Sequence, residues 1–425
     1  MNLLISLLFA FAAILPTDNE MLDAIRRDPY LAAGNLHPYI APEETNPKNL
    51  DTKAPKGFKP FYFSYYGRHG SRYMSGTYEV IDGIVKALDE LSGQGALTEQ
   101  GEKLRTWMQW TGKQHKDNMG TLTSIGYKEE QGISQRYAKR YRRIFRQRSR
   151  RMVVSRSSPI LRSALTGTSY IMEMRRHFPK LDFDVKAGDR YYFTRWDDNE
   201  AVDRAEENVT DSLIRARFDT VSFMTKFFKD TTVLRKFLNA KGAGVDELQY
   251  MLIHILSISK CLDSEADPFE CFSEDEIFQY AVVHNARAAA WFLHSKETGV
   301  FRDTNAGRPL INEFICRADE AIAGNSICAD LRFGHDSGVA PMFSFLHTEG
   351  YEQHAPLADT YITWPNYKHI FMACHLAMVF YRNRKGEVLV KLLENEKETT
   401  IPAIPSYSGP YYRWEDFKEY CSRRM

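Results

Sequence analysis

The sequence has almost no net charge, and this lack excludes whole classes of function. Its 425 residues carry 56 lysines and arginines against 55 aspartates and glutamates, which leaves a net charge of +1 at pH 7. So balanced a chain is neither a globally basic nucleic-acid binder nor an acidic solvating chain. A hydrophobic fraction of 43% and a charged fraction of 26% are ordinary for a globular protein and argue against disorder. A neutral total can still hide segregated patches of charge.

The sequence also lacks an apolar stretch long enough to span a membrane as a helix. One apolar run covers residues 3–15, which is about the length of a signal-peptide core, and a proline and several polar residues follow it. We therefore expect residues 1–17 to be a signal peptide and the protein to be periplasmic or secreted. The alternative is a buried N-terminal helix.

Cysteine is sparse, and metal-binding patterns are missing. The six cysteines form no C-x-x-C pair, and no grouping of histidine and cysteine has zinc-ligand spacing. We therefore expect neither a metal nor another cofactor. In an exported protein, disulfides Cys261–Cys271 and Cys316–Cys328 would each close a short loop. Buried free thiols are the alternative.

Strand and helix patterns alternate along most of the chain. Short apolar or aromatic runs at residues 60–66, 151–155 and 329–333 are typical of buried strands, and a helical pattern follows each of them. Two further runs, at residues 371–380 and 387–393, are predicted to be closing strands. The alternation predicts an α/β fold with a mostly parallel sheet flanked by helices, and functional residues at the carboxyl ends of the strands.

The middle of the chain has a different character. Between residues 189 and 307 helical patterns dominate, including one at 231–238. We interpret this region as an inserted, mainly helical domain. The α/β domain would then consist of residues 18–188 and 308–425.

The first chemical motif is GRHGSR at residues 67–72, directly after a predicted strand. Arg68 and Arg72 bracket His69, and a guanidinium group fits phosphate oxygens two at a time. A neutral imidazole between two arginines is a nucleophile aimed at an atom whose negative charge the arginines neutralise. A polar surface loop is the alternative, but the strand–loop–helix context favours an active site.

The second motif is RFGHDSG at residues 332–338, at the end of another predicted strand. Asp336 can donate a proton to a leaving oxygen while His335 binds the same anion. The alternative is that Asp336 is the N-cap of the following helix. The spacing G-x-S-x-G is absent around Ser337, which excludes a nucleophile elbow.

These motifs resemble those of the histidine acid phosphatase family, the clade that contains phytases and multiple inositol polyphosphate phosphatases. The family's R-H-G-x-R-x-P corresponds to residues 68–74, with Met74 in place of proline, and its His-Asp pair corresponds to residues 335–336. The segments LTSIG at 122–126 and RSA at 162–164 are similar to further family segments.

The branch of the family stays open. The sequences YYG at 65–67 and LLENE at 392–396 look most like the inositol polyphosphate phosphatases. That branch typically places its acid in His-Ala-Glu, however, whereas Asp336 directly follows His335 here, as in phytases and general acid phosphatases.

The resemblance implies a phosphoglycerate-mutase-like α/β fold and covalent catalysis. His69 would attack phosphorus to form a phosphohistidine, Asp336 would protonate the leaving alcohol, and water would then release phosphate. The residues that would hold the phosphoryl oxygens are Arg68, Arg72, Arg162 and His335.

The implied ligand is an inositol polyphosphate, phytate above all, and no nucleic acid. A broad-specificity acid or sugar phosphatase is the alternative within enzymes. The alternative from another class is a polyanion-binding protein on an inactive phosphatase fold.

A dense basic segment covers residues 136–162, and no acidic residue occurs between Glu130 and Glu173. It is interpreted in three ways: as a solvated helix face, as a binding surface for nucleic acid or another anionic surface, or as a field that attracts a polyanionic substrate. Other candidate contacts for peripheral phosphates are Lys186, Arg190 and Arg195.

Overall fold

The computed structural model describes residues 19–42, 51–76, 78–188, 200–230, 244–293, 306–351 and 355–424. The predicted signal peptide at 1–17, the predicted helix at 231–238, and Arg190 and Arg195 lie outside these residues. Export therefore stays a prediction.

One mixed sheet forms the centre of the molecule. Its strands are β1 (Lys59–Arg68), β2 (Met152–Ser157), β3 (Asp182–Ala187), β4 (Ile327–Gly334), β5 (His375–Arg382), β6 (Val388–Glu394), β7 (Lys397–Thr399) and β8 (Tyr411–Arg413). They lie in the order β3-β2-β4-β1-β5-β6-β7, and β8 pairs with β6.

The predicted parallel core is confirmed, and an antiparallel half extends it. Strands β1 to β4 pair in parallel, whereas β5 to β8 are antiparallel to their neighbours. The connections explain the difference, because a parallel pair needs a long crossover while the short turn between β5 and β6 permits only a hairpin. The sequence does not predict strand β3, since as an edge strand it is largely exposed and lacks an apolar run.

Helices surround the sheet. Twelve longer helices in the described residues and one single turn, α5, are labelled as follows: α1 (Asn19–Arg27), α2 (Tyr78–Gly93), α3 (Glu99–His115), α4 (Ser124–Arg140), α5 (Arg142–Phe145), α6 (Leu161–His177), α7 (Glu200–Arg217), α8 (Thr220–Phe227), α9 (Val245–Ser257), α10 (Glu274–Phe292), α11 (Arg308–Ala323), α12 (Asp336–Leu346) and α13 (Trp414–Arg423). A short 3-10 segment, Pro29–Leu36, follows α1.

Strand β1 is buried on both faces. Tyr62 and Tyr66 belong to one hydrophobic core, and Phe63 and Tyr65 belong to the core on the other side of the sheet. A strand covered by helices on both faces needs a continuous apolar run rather than an alternating one. The aromatic sequence of β1 meets this need and holds the end of the strand rigidly.

A third core joins helices from distant parts of the chain. Within the described residues of 189–307 there are helices and 3-10 turns but no strand. Their buried side chains, such as Phe223 and Leu252, pack in one cluster with Leu104 and Met108 of α3. The boundaries of an inserted domain stay a prediction.

The cysteines are free thiols. All six lie in the described part of the chain, five of them are buried, and Cys316 is exposed. The structure therefore contains neither of the two candidate disulfides. Among the described residues, no helix combines the length and the apolar character that a membrane crossing requires.

Candidate active site

The two sequence motifs meet at one edge of the sheet. Strands β1 and β4 are parallel neighbours, and Arg68 is in register with Gly334. The residue after each strand end is a histidine, and the ring centroids of His69 and His335 are 5.4 Å apart. The backbone N–H of His69 also donates to the carbonyl of Gly334 at 3.0 Å. Parallel pairing thus joins segments that lie far apart in sequence.

A half-buried carboxylate holds the loop after β1. Glu129 on α4 accepts hydrogen bonds from the backbone N–H and the hydroxyl of Ser71, each at 2.7 Å. Thr123, the N-cap of α4, donates to the Ser71 carbonyl at 3.0 Å. The LTSIG segment therefore supports the loop rather than lining the site.

Gly70 permits a close approach of two backbones. A Cβ atom at this position would lie 2.5 Å from the carbonyl oxygen of Gly126. The reciprocal Cβ at Gly126 would lie 2.3 Å from the Ser71 carbonyl oxygen. Neither neighbour is a flexible side chain, so both positions require glycine if the loop is to pack against α4.

His69 is buried and neutral. Burial, together with the charges of Arg68 and Arg162, holds the pKa of His69 well below its ordinary value of 6.5. Its Nδ1 lies 2.9 Å from the carbonyl oxygen of Gly70, so Nδ1 carries the proton and donates. The lone pair of the ring is therefore on Nε2, which is the nucleophilic atom of this tautomer.

Three arginines surround the histidine. Arg68 is 1% exposed, and its Nη1 donates to the Asn35 carbonyl at 2.5 Å. Burial, with the charges of Arg68 and Arg162, lowers the pKa of Arg72 to about 9, and burial also lowers the pKa of Arg162. Each of the three has a buried Nε without a hydrogen-bond partner in the described residues. Cationic donors left unpaired beside one another favour an anionic ligand.

His335 and Asp336 begin helix α12. His335, not Asp336, is the N-cap, which corrects the alternative N-cap interpretation of Asp336. Burial and the charge of Arg162 lower the pKa of His335 to about 3, and its Nε2 lies 3.1 Å from the Ser158 hydroxyl. His335 is therefore neutral.

Asp336 is the counter-charge of the site. Its Oδ2 lies 2.9 Å from Nη2 of Arg68 and accepts a hydrogen bond from Nδ2 of Asn35 at 3.1 Å. Burial alone would raise the pKa of Asp336, but the charge of Arg68, the interaction with His335 and the bond from Asn35 outweigh it and lower the pKa. The carboxylate is therefore ionised in the ligand-free site.

A chain of hydrogen bonds lies behind Asp336, and sequence reasoning does not reveal it. His284 on α10 lies with Nε2 3.0 Å from Oδ1 of Asn35 and with Nδ1 3.1 Å from the hydroxyl of Tyr250. Because the amide nitrogen of Asn35 donates to Asp336, its oxygen must accept from His284. Burial lowers the pKa of His284 to about 3, so the ring is neutral and its proton is on Nε2. Asn35 is thereby fixed in one orientation.

The side chains line a cavity of about 270 Å³. Four arginines and one carboxylate contribute to its wall, which gives it an excess of positive charge. The lining residues not predicted from the sequence include Asn35, His254, His284, Arg287 and Trp291. The sequence does contain a signal for His284, since three polar residues, His284, Asn285 and Arg287, interrupt the apolar second half of α10. Asn35, by contrast, lies in a segment without periodicity.

Most of the other basic residues singled out in the sequence lie away from the cavity. Lys186 is exposed on β3, where its ammonium is 3.9 Å from Asp184. Of the basic segment, Arg162 lines the cavity, while Arg136 and Arg140 form ion pairs with Glu396 and Asp51. Among the described residues, no group of three or more histidine, cysteine or acidic side chains is arranged to hold a metal ion.

Solved structures match this fold over most of its length, although no protein-family model and no curated protein matches the sequence. The multiple inositol polyphosphate phosphatase of Bifidobacterium longum, solved with inositol hexasulfate, has a TM-score of 0.73 and 17% identity and covers 92% of this chain and 97% of its own. The phytase of D. castellii has a TM-score of 0.64 and 15% identity, over 93% of this chain and 85% of its own. The Hafnia alvei phytase with myo-inositol hexakis sulphate has a TM-score of 0.55 and 14% identity, and it covers 88% of this chain and 98% of its own.

The chain therefore has the α/β fold shared by these phosphatases. In the wider class of α/β proteins, ligands bind at the carboxyl ends of parallel strands, and the cavity beside His69 lies at such an edge.

Proposed function

We propose that this protein is a histidine acid phosphatase that hydrolyses inositol polyphosphates through a phosphohistidine intermediate. One observation carries the proposal: a neutral histidine with its lone pair on Nε2 lies among three arginines, each with an unpaired buried Nε. Phosphoryl transfer asks mainly for positioning and charge neutralisation, and these residues supply both.

In the first step, Nε2 of His69 attacks phosphorus. The bond from Nε2 to phosphorus forms while the bond from phosphorus to the ester oxygen breaks. Arg68, Arg72 and Arg162 neutralise the charge on the phosphoryl oxygens, and neutral His335 is a further hydrogen-bonding group for them. The Gly70 carbonyl accepts from Nδ1–H and stabilises the positive charge that develops on the imidazole.

Asp336 supplies the proton for the leaving alkoxide. In the free site its pKa is lowered, chiefly by Arg68 once the opposing effect of burial is counted. A bound phosphate engages Arg68 and places negative charge beside the carboxylate, and both changes raise the pKa of Asp336. Substrate binding therefore favours the protonated carboxyl that general acid catalysis needs.

In the second step, water attacks the phosphohistidine. The carboxylate of Asp336 takes a proton from this water, the bond from Nε2 to phosphorus breaks, and inorganic phosphate leaves. His69 returns to its neutral form and Asp336 to its protonated form. The cycle needs no redox partner and no second substrate other than water.

The charge of the cavity supports a polyphosphorylated substrate. Four arginines face one carboxylate, and Arg287 belongs to α10 rather than to the two motifs. A monoester with one phosphate requires fewer cations than this, whereas inositol polyphosphates carry additional phosphates that Arg287 can engage.

We expect the enzyme to release phosphate from phytate in preference to simpler esters. The measurement is the rate of phosphate release from phytate, glucose 1-phosphate, 2,3-bisphosphoglycerate and p-nitrophenyl phosphate, from acidic to neutral pH. Because the pKa of His69 lies well below 6.5, kcat/KM for phytate should not decline as the pH falls through 6.5. Equal kcat/KM for all four esters would favour a broad-specificity phosphatase instead.

Asn35 is proposed as a positioning residue for Asp336. Its hydrogen bond lowers the pKa of Asp336, so Asn35→Ala should raise this pKa and shift the upper limb of the kcat/KM profile to higher pH. Because Asn35 also orients the carboxyl group of Asp336, its loss should reduce kcat for phytate by about tenfold. The check is a pH–rate profile of the purified variant.

Ser75→Ala is the matched control for this variant. Ser75 lines the same cavity but has no side-chain hydrogen bond to a described residue. Removal of its hydroxyl should therefore leave the pH dependence of kcat/KM unchanged. If Asn35→Ala lowers kcat without moving the profile, the residue supports only the local structure.

A further inference from the structure

A second cavity lies at the opposite edge of the sheet. It has a volume of about 970 Å³ and is formed by residues 56–61, by the region of α5, and by the turn between β5 and β6 with Tyr407 beside it. Strand β1 runs from Lys59 at this cavity to Arg68 at the active site, and ten residues at about 3.3 Å each separate the two by about 30 Å. We call this second cavity the basal groove.

The basal groove is strongly cationic. Seven lysines and arginines line it, against one acidic residue, Glu387. That carboxylate is already engaged by the side-chain amide of Asn383. Arg143, Arg146 and Arg384 are exposed, and none of them forms an ion pair with a carboxylate among the described residues. So many uncompensated like charges around one concavity repel one another, and an anion would relieve that repulsion.

The floor of the groove is fixed. Phe61 is buried, and the guanidinium groups of Arg382 and Arg150 lie 4.5 and 5.6 Å from its ring centroid. Arg382 also donates to the Ile322 carbonyl at 2.5 Å. The exposed cations on the rim are thus carried by a rigid base, and ordering them costs little beyond their own side-chain entropy.

The shape of the groove distinguishes between classes of anion. A nucleic acid or another linear polymer favours a stripe of charge along a surface, and an anionic membrane favours exposed apolar side chains among the cations. Here the cations converge from three separate segments on one concavity, whose volume is in the range of small-molecule sites. Of the aromatic side chains at the groove, Phe58 and Phe61 are buried and only Tyr407 is exposed, which is too little apolar surface for insertion into a membrane.

We propose that the basal groove binds a compact polyanion, a small molecule that carries several phosphate or sulfate groups. Arg143 and Arg146 form one rim, and Arg384 and Lys385 of the β5–β6 turn form the other. Part of the basic segment thereby has a role away from the active site. This inference does not depend on the proposed phosphatase activity.

Calorimetric titration with inositol hexasulfate tests the proposal, since this probe carries six sulfates and is not a phosphate ester. The wild-type protein should bind two equivalents, one in each cavity. The double variant R143E/R146E should retain one equivalent and unchanged phytate turnover, and circular dichroism should confirm its fold. Binding in the basal groove should weaken as salt is added.

Two further variants make the result decisive. K103E/K113E changes the net charge by the same amount at two exposed lysines of α3 that line neither cavity, and it should still bind two equivalents. R162E tests the active site and should lose the other equivalent. If R143E/R146E binds the probe like K103E/K113E, the basal groove is not a polyanion site, whatever R162E does. Loss of heparin or single-stranded DNA binding in R143E/R146E, with hexasulfate stoichiometry unchanged, would likewise overturn the proposal in favour of a polymer ligand.

Discussion

Replacing His69 by alanine should abolish phosphate release from phytate, with a loss of turnover on the order of 10⁵-fold. The reason is that the lone pair on Nε2 of His69 lies among the three arginines and has no hydrogen-bond partner in the described residues. His335 is neutral too, but its Nε2 lies 3.1 Å from the Ser158 hydroxyl and is occupied by that contact. The measurement is steady-state phosphate release with purified protein at acidic pH.

The fold should survive this substitution. Within the described residues, the side chain of His69 makes one hydrogen bond, to the carbonyl of the next residue. The backbone bonds that hold the loop, from Ser71 to Glu129 and from His69 to Gly334, do not involve the imidazole. Thermal unfolding and circular dichroism should therefore be close to those of the wild type.

His115→Ala is a suitable control for the loss of a buried histidine. His115 is also fully buried, its pKa is also lowered by burial, and its Nδ1 bonds to the carbonyl of Thr111 outside the cavity. We expect this variant to keep its turnover per folded molecule. Substantial turnover by His69→Ala would exclude His69 as the nucleophile.

Replacing Asp336 by asparagine should slow phytate hydrolysis by about 10²- to 10⁴-fold, because the leaving alkoxide then departs without a proton. The loss for p-nitrophenyl phosphate should be much smaller, since nitrophenolate is a stable anion that needs no proton. Comparing kcat for the two esters separates the loss of an acid from general damage to the site.

The Asp336→Asn variant also tests how the carboxylate affects substrate binding. The neutral amide of Asp336→Asn would no longer neutralise Arg68, whose Nη2 lies 2.9 Å from the carboxylate in the wild type. KM for phytate should therefore stay the same or fall while kcat collapses. Asp319→Asn is the control, since Asp319 pairs with Lys418, accepts a hydrogen bond from Trp414 and does not line the cavity. Equal losses on both esters would argue against the acid role of Asp336.

The site can be predicted from the sequence where local pattern and parallel pairing coincide. The aromatic run that becomes β1 and the run that becomes β4 each end at a histidine, and parallel neighbours bring such ends together. Arg162 lies near the start of α6, just after β2, which is the next strand in the sheet. The order of the strands therefore explains why the side chains of the two motifs lie close together.

The rest of the site depends on contacts that no periodic pattern in the sequence indicates. Asn35 lies in a 3-10 segment that bends at Gly34, whose φ of 50° is in the left-handed region. Its contact with Asp336 spans 301 residues, and its contact with His284 spans 249. A single sequence cannot indicate such a contact, because it is produced by packing between separate elements. The basal groove is of the same kind, since three segments form it only after the β5–β6 hairpin closes.

The antiparallel half of the sheet shows a different limit of prediction from the sequence. The strand patterns at 371–380 and 387–393 are recognisable in the sequence, and β5 and β6 lie close to them. Their direction follows from the length of the turn between them rather than from the strand residues themselves. The connection between the runs, and not the runs alone, predicts the hairpin.

If His69 carries the phosphoryl group during turnover, the phosphohistidine can be trapped and located. Enzyme mixed with phytate is denatured within milliseconds under alkaline conditions, which preserve phosphohistidine, and the peptides are analysed by mass spectrometry. We expect a phosphoryl group on the peptide containing residues 67–72, located at His69 and absent from His69→Ala. A phosphoryl group on another residue, or turnover without any phosphorylated enzyme, would contradict it.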